Sequence, residues 1–516
     1  MYGPIKVKRI FSVSVLCVTF FAAAAHAKDR TPEDVDALIE SVAAGLRPLV
    51  RPADAPPVRW TMEERMAEHG VPGVSVAVIE DGRILFARGF GVKNSETMEP
   101  VDENTVFSVG SVSKVGAAAT ALRLVAKGEL DLDAPVNRRL TTWQVPDNEF
   151  TERRPVTLRG LLSHTAGLTV HGFPDFKPGE KITTAVETLN GSGAAKTPPV
   201  RPFYAPGTQW RYSGGGTTVM QLLISESTGG RFEQAAAENV FAPLGMGRST
   251  YENPLPASHG NIAYAHNERG GVTAKPRGWH TFPEKAASGL WTTPSDVAKL
   301  YIALMNSYGG DDNAFLPRDL AIDMMTEVSP SYFGLGPALT GFGQDRRFFH
   351  SGANESYRAW TEGHLETRNG LIVFTNGAKG SRLYYEIRRA VADAMGWPYY
   401  EEIITPNFPK DDALIQKFIG TYTPEEAPSS SALRTYGSVP VKRIKVVKGA
   451  NGGLQVVIPG RGRRTLHRVS PTTFLVEDTP IGTPNWVRIE FLVRHDSVVK
   501  EMILTLSGEG LVLSKK

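Results

Sequence analysis

Along VSVAVIEDGRILFARGFG (74–91) one apolar run gives way at Asp81-Gly82 to a second. Two strands joined by a tight turn are predicted, because Asp-Gly readily takes the positive φ angles of a hairpin. From about 110 to 245 the apolar spacing is mainly helical, with long loops. Strand spacing returns between 346 and 376, in RRFFHSG, SYRAWTEGHLE and GLIVFTN, and a helix is predicted over 383–395. The early hairpin and the late strands would share one antiparallel sheet, flanked by helices and interrupted by a helical insert. Residues far apart in the chain would then meet at one cleft.

Both ends of the chain differ in texture from this middle. Beyond Pro409, short alternating runs such as LQVVI (454–458), WVRIEFLV (486–493) and EMILTL (501–506) are spaced by Gly, Pro and Asn, predicting a small all-β domain over 411–516. Near the start, TPEDVDALIESVAAGLR (31–47) predicts a capped helix, with Thr31 as N-cap, Pro32 at the first position and Asp34 three residues beyond the cap. A Pro-rich link (48–57) follows. Before both, Lys6, Lys8 and Arg9 precede an apolar run from Ile10 to Ala25, ending in the small-x-small Ala25-His26-Ala27. That layout predicts a signal peptide over 1–27, its apolar run shorter than the ~20 residues of a spanning helix. The expected division is signal 1–27, helix and link 28–59, an α+β domain 60–400 and a β-rich domain 411–516.

Composition sharpens this picture at three points. A chain of 516 residues, 41% hydrophobic and 22% charged, is a folded protein of two or three domains. With the signal removed, the expected product is periplasmic or secreted, with no membrane span. Cys17, the only cysteine, would leave with it, so no disulfide, thiol nucleophile or Cys-ligated metal is expected. The three basic residues of the signal also account for the formal charge of +3, so nothing points to a nucleic-acid partner. Residues 411–516 hold 15 Lys and Arg against 10 Asp and Glu. The cluster Arg461, Arg463, Arg464 and Arg468 is either a solvated face or a contact for anionic cell-envelope polymers.

Candidate chemistry begins at Ser111-Val112-Ser113-Lys114, where an apolar, Ala-rich helix starts. Three residues apart on a first turn, Ser111 and Lys114 share a face, about 5–6 Å between their Cβ atoms. A serine hydroxyl becomes a nucleophile when a neighbour takes its proton, and lysine does so once burial makes it neutral. The pattern alone is weak: Ser497-Val498-Val499-Lys500 also matches, but in a strand-like run where the two side chains take opposite faces. No H-E-x-x-H or cysteine cluster suggests a metal, and no cofactor is implied.

Context raises Ser111 above that pattern. GSVSK, LLSHTAGL (161–168), PGTQWRYSGGG (206–216), PLGM (243–246), SGLWTTPSD (288–296) and HSGAN (350–354) occur in the order of the serine β-lactamase and penicillin-binding-protein-like hydrolases. The chain most resembles the branch of class C β-lactamases and D-alanyl-D-alanine carboxypeptidases, from about Trp60 to Trp397. The resemblance implies the β-lactamase/transpeptidase-like fold, Ser111 as acylated nucleophile, Lys114 as its proton acceptor and Tyr212 as a proton shuttle. It implies an oxyanion hole from the N–H groups of Ser111 and Ala353. His350-Ser351-Gly352 stands for the family's third motif, with His350 donating a hydrogen bond to a substrate carboxylate or carbonyl. His164, tempting as a base for Ser111, becomes a loop-ordering residue. Trp279-His280 and the loop 171–180 either line the pocket or are rigid turns.

One departure blurs the substrate. The second motif is usually Y-x-N, and here Gly214 stands where the asparagine belongs. Losing that amide would remove a donor and open space beside Ser111, with Gly215 and Gly216 letting backbone pass close to a ligand. The implied function is an exported serine hydrolase forming an acyl-enzyme on D-amino-acid peptides or small esters. A β-lactamase, and an inactive envelope-binding protein, are the alternatives.

Overall fold

A computed structural model describes residues 30–408 continuously, and beyond them 413–424, 435–436, 439–440, 443–449, 452–458, 462–476, 488–493, 499–506 and 509–516. The predicted signal (1–27), Arg461 and Ser497 lie outside the described residues.

The hairpin forms where Asp-Gly predicts it, between the strands Gly73–Glu80 and Arg83–Asn94, with Asp81 and Gly82 both at positive φ. Its first strand pairs on the other side with Gly370–Thr375, followed outward by Tyr357–His364, Arg347–Asn354 and Ala338–Thr340. With Glu99–Pro100 at the far edge, these make a seven-stranded antiparallel sheet. Successive side chains of a strand leave by opposite faces. Val74, Val76, Val78, Leu371 and Val373 accordingly pack against the helix Gly380–Met395, while Ala77, Ile79, Ile372 and Phe374 join the core of the helical insert. The insert places the helices Ser113–Ala126, Gly214–Thr228 and Pro294–Gly309 on that second face.

The helix Pro32–Ala44 begins at Thr31 with a reciprocal capping box to Asp34, as predicted. It packs with Gly380–Met395 behind the sheet, where Arg388 pairs with the buried Glu362 at 2.7 Å and stacks 3.9 Å from the Trp360 centroid. The Pro-rich link contains structure the sequence does not suggest. Val50–Pro52 forms a parallel pair with Ile403–Thr405, so the chain entering the main domain and the chain leaving it are clasped together. Leu49 and Val50 also pack on Leu475 of the C-terminal module.

That module is a closed barrel of eight strands, opened by the helix Ala413–Phe418. Its interior is the alternate residues of each strand, Ile444 and Val446, Leu454 and Val456, Ile489 and Phe491, Leu511 and Leu513, with Phe418 and Tyr422 beside them. In the basic cluster, Arg463 is exposed, while Arg468 stacks 4.2 Å from the Phe408 ring centroid and donates to the Pro471 carbonyl.

Candidate active site

Ser111 sits in a short 3-10 turn, Gly110–Val112, that runs into the helix Ser113–Ala126. Two glycines let this turn press against the strand Arg347–Asn354. Gly110 is at φ +54°, and a Cβ there would lie 2.6 Å from the Ala353 nitrogen. A Cβ on Gly352 would lie 1.8 Å from the Val109 oxygen and 3.3 Å from the Ser111 nitrogen. Only glycine tolerates such approaches, and they bring the backbone of Ser111 beside that of Ala353. Asn354 fastens the junction, its Nδ2 donating to Ser108 Oγ at 2.7 Å and to the Ser288 carbonyl at 2.9 Å.

Lys114 lies one turn on, 4% exposed. Its Nζ donates to Ser111 Oγ at 3.1 Å and to the Ala287 carbonyl at 2.8 Å. Burial without a carboxylate partner penalises the ammonium and brings its pKa down to about 7. Near neutrality it is therefore poised to take the Ser111 proton.

Tyr212 ends the extended segment before the helix Gly214–Thr228, with Lys114 Nζ 4.9 Å from its ring centroid. Burial pushes its phenol up, and hydrogen bonding with Ser111 opposes that. His164 holds this residue from both sides. Its carbonyl accepts from Arg211 N–H at 2.9 Å, its Nδ1 accepts from Ser213 N–H at 3.2 Å, and its ring lies 4.2 Å from that of Tyr212. Burial and then the nearby Lys114 keep the imidazole well below its ordinary pKa. A neutral ring whose Nδ1 is already engaged is a positioning group for Tyr212, in line with the loop-ordering expectation.

The glycine run behaves differently from the expectation. It forms the first turn of a helix, capped by Ser213 Oγ accepting from Gly216 N–H at 2.9 Å. The direction of a side chain at 214 is occupied: a Cβ would meet Phe173 Cε2 at 3.0 Å and the His171 oxygen at 3.1 Å. Gly215 likewise abuts the Thr169 oxygen and Val200 Cγ2, both at 2.8 Å from its Cβ position. The missing asparagine thus leaves no gap, because the 169–173 segment fills it, and the glycines serve close packing of that segment. Gly214→Asn is expected to lower stability by roughly 1–2 kcal/mol through overpacking. In a Phe173→Ala background that cost should shrink by about 1 kcal/mol, as thermal melts of the four chains would measure.

His350 is 4% exposed, with its ring centroid 6.2 Å from that of Tyr212 and 5.9 Å from that of Phe333. Its Nδ1 lies 2.7 Å from the Ser351 carbonyl oxygen. A carbonyl only accepts, so that nitrogen carries the proton and the neutral ring offers a lone pair at Nε2. This is the opposite polarity to the donor role the resemblance implies. Ser351 is half-buried and Gly352 buried beside it.

The loop 171–180 and Trp279-His280 are tied to each other. Phe176 and Thr281 exchange two backbone hydrogen bonds, both 2.9 Å, and His280 Nδ1 pairs with Asp175. Trp279 is core, its Nε1 donating to the Leu255 carbonyl. Sequence reasoning missed Ala287, which contributes only a carbonyl, and Tyr332 and Phe333, aromatic residues in a loop without motif context; Phe173 falls in the loop 171–180 that it named only as a whole. Among the described residues no cluster of three or more His, Cys, Asp or Glu could hold a metal ion, and no helix is long and apolar enough to cross a membrane.

A family model described as Beta-lactamase matches residues 58–395. A protein named beta-lactamase from Pseudomonas fluorescens is 32% identical over 186 residues, 36% of this chain and 48% of that protein. Penicillin-binding protein 4 of Amycolatopsis lactamdurans is 26% identical over 373 residues, covering 69% of this chain and 94% of that one. Esterase EstB of Burkholderia gladioli is 28% identical over 295 residues, covering 50% and 71%. The chain therefore spans about half the length of the first relative and nearly all of the second. In fold it is similar to the octameric penicillin-binding protein homologue from Pyrococcus abyssi, with a TM-score of 0.54 at 20% identity over 88% of this chain and 98% of that one.

Proposed function

The chain belongs to the Beta-lactamase family, and from that premise we propose that it is an exported serine hydrolase working through an acyl-enzyme on Ser111. The observation that carries the reading is the buried Lys114 Nζ lying 3.1 Å from Ser111 Oγ, within reach for proton transfer. Neutral Lys114 takes the hydroxyl proton as Oγ attacks the substrate carbonyl. The tetrahedral oxyanion accepts hydrogen bonds from the backbone N–H groups of Ser111 and Ala353, where loss of one donor typically costs about a hundredfold or more. Tyr212, beside both Ser111 and Lys114, relays the proton to the leaving group. Water then releases the acyl group by the reverse proton path.

The substrates we propose are amides or esters of the D-amino-acid peptide or small-ester class. Relatives named as a penicillin-binding protein and an esterase support this breadth. A β-lactamase is the second reading, favoured by the name of the Pseudomonas fluorescens relative. The packing of Phe173 where the motif asparagine would sit weighs against it.

Labelling the purified protein with a fluorophosphonate and a fluorescent penicillin tests the proposal. Turnover of a p-nitrophenyl ester, a D-Ala-D-Ala peptide and nitrocefin completes the test. Expected are a fluorophosphonate label that depends on Ser111 and faster turnover of ester or peptide than of nitrocefin. Absence of a Ser111-dependent label with either probe would leave an inactive binding protein as the better reading. Nitrocefin turned over fastest would favour the β-lactamase.

A further inference from the structure

We propose that His350 makes this site select substrates presenting an N–H or O–H donor next to the scissile bond, and disfavours those presenting a carboxylate there. The inference rests on the serine hydrolase reading and narrows its substrate class.

Its basis is an unmatched polarity. The Ser351 carbonyl, 2.7 Å from Nδ1, fixes which ring nitrogen bears hydrogen. Turning the ring over would press a carbon against that oxygen at the same distance, well inside the roughly 3.3 Å of a C–H···O contact. The other nitrogen, Nε2, is buried and has no hydrogen-bond partner in the protein. Separately, burial and then the nearby Lys114 hold the imidazole down to about 3, so the ring stays neutral wherever the protein would be assayed. A buried acceptor left unmade is costly, and a partner that supplies a donor relieves that cost.

The lone pair is set among the catalytic groups. The His350 ring neighbours those of Tyr212 and Phe333, and the Lys114 charge acts on it. A substrate carboxylate at this position would face a second acceptor, and burying an anion without a donor is strongly unfavourable. A carboxamide, a free amine or the N–H of a continuing peptide chain presents the matching polarity. The position thus reads against a terminal carboxylate, and for internal peptide bonds and amides, whose N–H supplies the donor.

A matched pair of competitors tests this directly. Hydrolysis of p-nitrophenyl acetate by the full chain is inhibited with N-acetyl-D-alanyl-D-alanine or with N-acetyl-D-alanyl-D-alaninamide, which differ only in the terminal group. At pH 8, where Lys114 is mainly neutral, the amide should bind at least about tenfold more tightly, the worth of one good hydrogen bond, and the ratio should narrow toward pH 6 as the lysine gains charge. His350→Lys, which restores a cation, should shift the ratio toward the acid by about tenfold or more. Equal or tighter binding of the acid by the unmutated protein overturns the inference. So does a ratio unmoved in a His350→Lys chain whose melting curve shows it folded. Should that variant fail to fold, the ratio of the unmutated protein decides alone. Ester hydrolysis that persists in Ser111→Ala would remove the hydrolase reading itself, and this inference with it, which separates the two failures.

Discussion

Ser111→Ala is expected to reduce turnover of every substrate at least about a thousandfold while leaving the melting temperature nearly unchanged. Removing a nucleophile removes the covalent route altogether, and what survives is the modest catalysis of a preorganised oxyanion site. Stability should hold because the helix is fixed by other contacts. Ser113 Oγ accepts from Leu290 N–H, Tyr251 OH donates to the Ser113 carbonyl, and Gly110 and Gly352 keep their backbone contacts. Ser497→Ala, at the other S-x-x-K sequence, should leave turnover unchanged. Lys500 of that sequence lies in a strand of the barrel, Val499–Leu506, remote in sequence from every other motif. Equal losses from the two variants, measured as kcat/KM on a p-nitrophenyl ester, would contradict the assignment of the nucleophile.

Lys114→Met should lower kcat/KM by about a hundredfold or more, the usual worth of a positioned general base. Its melting temperature should hold or rise, because the substitution keeps the volume and removes a buried amine. The pH profile of the unmutated chain gives the same argument a sign. Burial depresses the lysine pKa to about 7, and the neutral amine is the active form. The rate should therefore fall as pH drops below about 7, by nearly tenfold per unit once well below it. That limb should be absent in Lys114→Met. An acid limb near pH 4, or one unchanged in the variant, would point to a different base.

Much of this architecture is legible in the residues. The Asp81-Gly82 turn, the capped helix from Thr31, the strands 346–376 and the alternation of the C-terminal module all follow local periodicity and turn chemistry. The β-lactamase/transpeptidase fold with its added β-module is borne out by the family match and by the barrel. What sequence could not supply is long-range contact. Periodicity gives strands but not their closure into a barrel, and nothing in the Pro-rich link announces its pairing with Ile403–Thr405. The site divides in the same way. Ser111 and Lys114 are three residues apart and mark themselves. The polarity of His350 is set by a neighbouring carbonyl, and the space at Gly214 by Phe173, so both expectations drawn from motif identity alone were altered.

The central seam of the sheet pairs Gly73–Glu80 with Gly370–Thr375, with Ile79 opposite Gly370 and Val74 opposite Thr375, partners about 300 residues apart in the chain. During synthesis the first of these strands, and Ser111 soon after it, emerge long before anything exists for them to lean on. Long-range strand pairing of this kind is slow, and it waits on the completed chain. The turn that presents Ser111 rests on Gly352 and Ala353, which arrive with the late strands. Nascent or truncated chains ending before that point therefore carry Ser111, the proposed nucleophile, without the backbone proposed to complete its oxyanion site. On the serine hydrolase reading, competence would come as one of the last events of folding, after the late strands have closed the sheet.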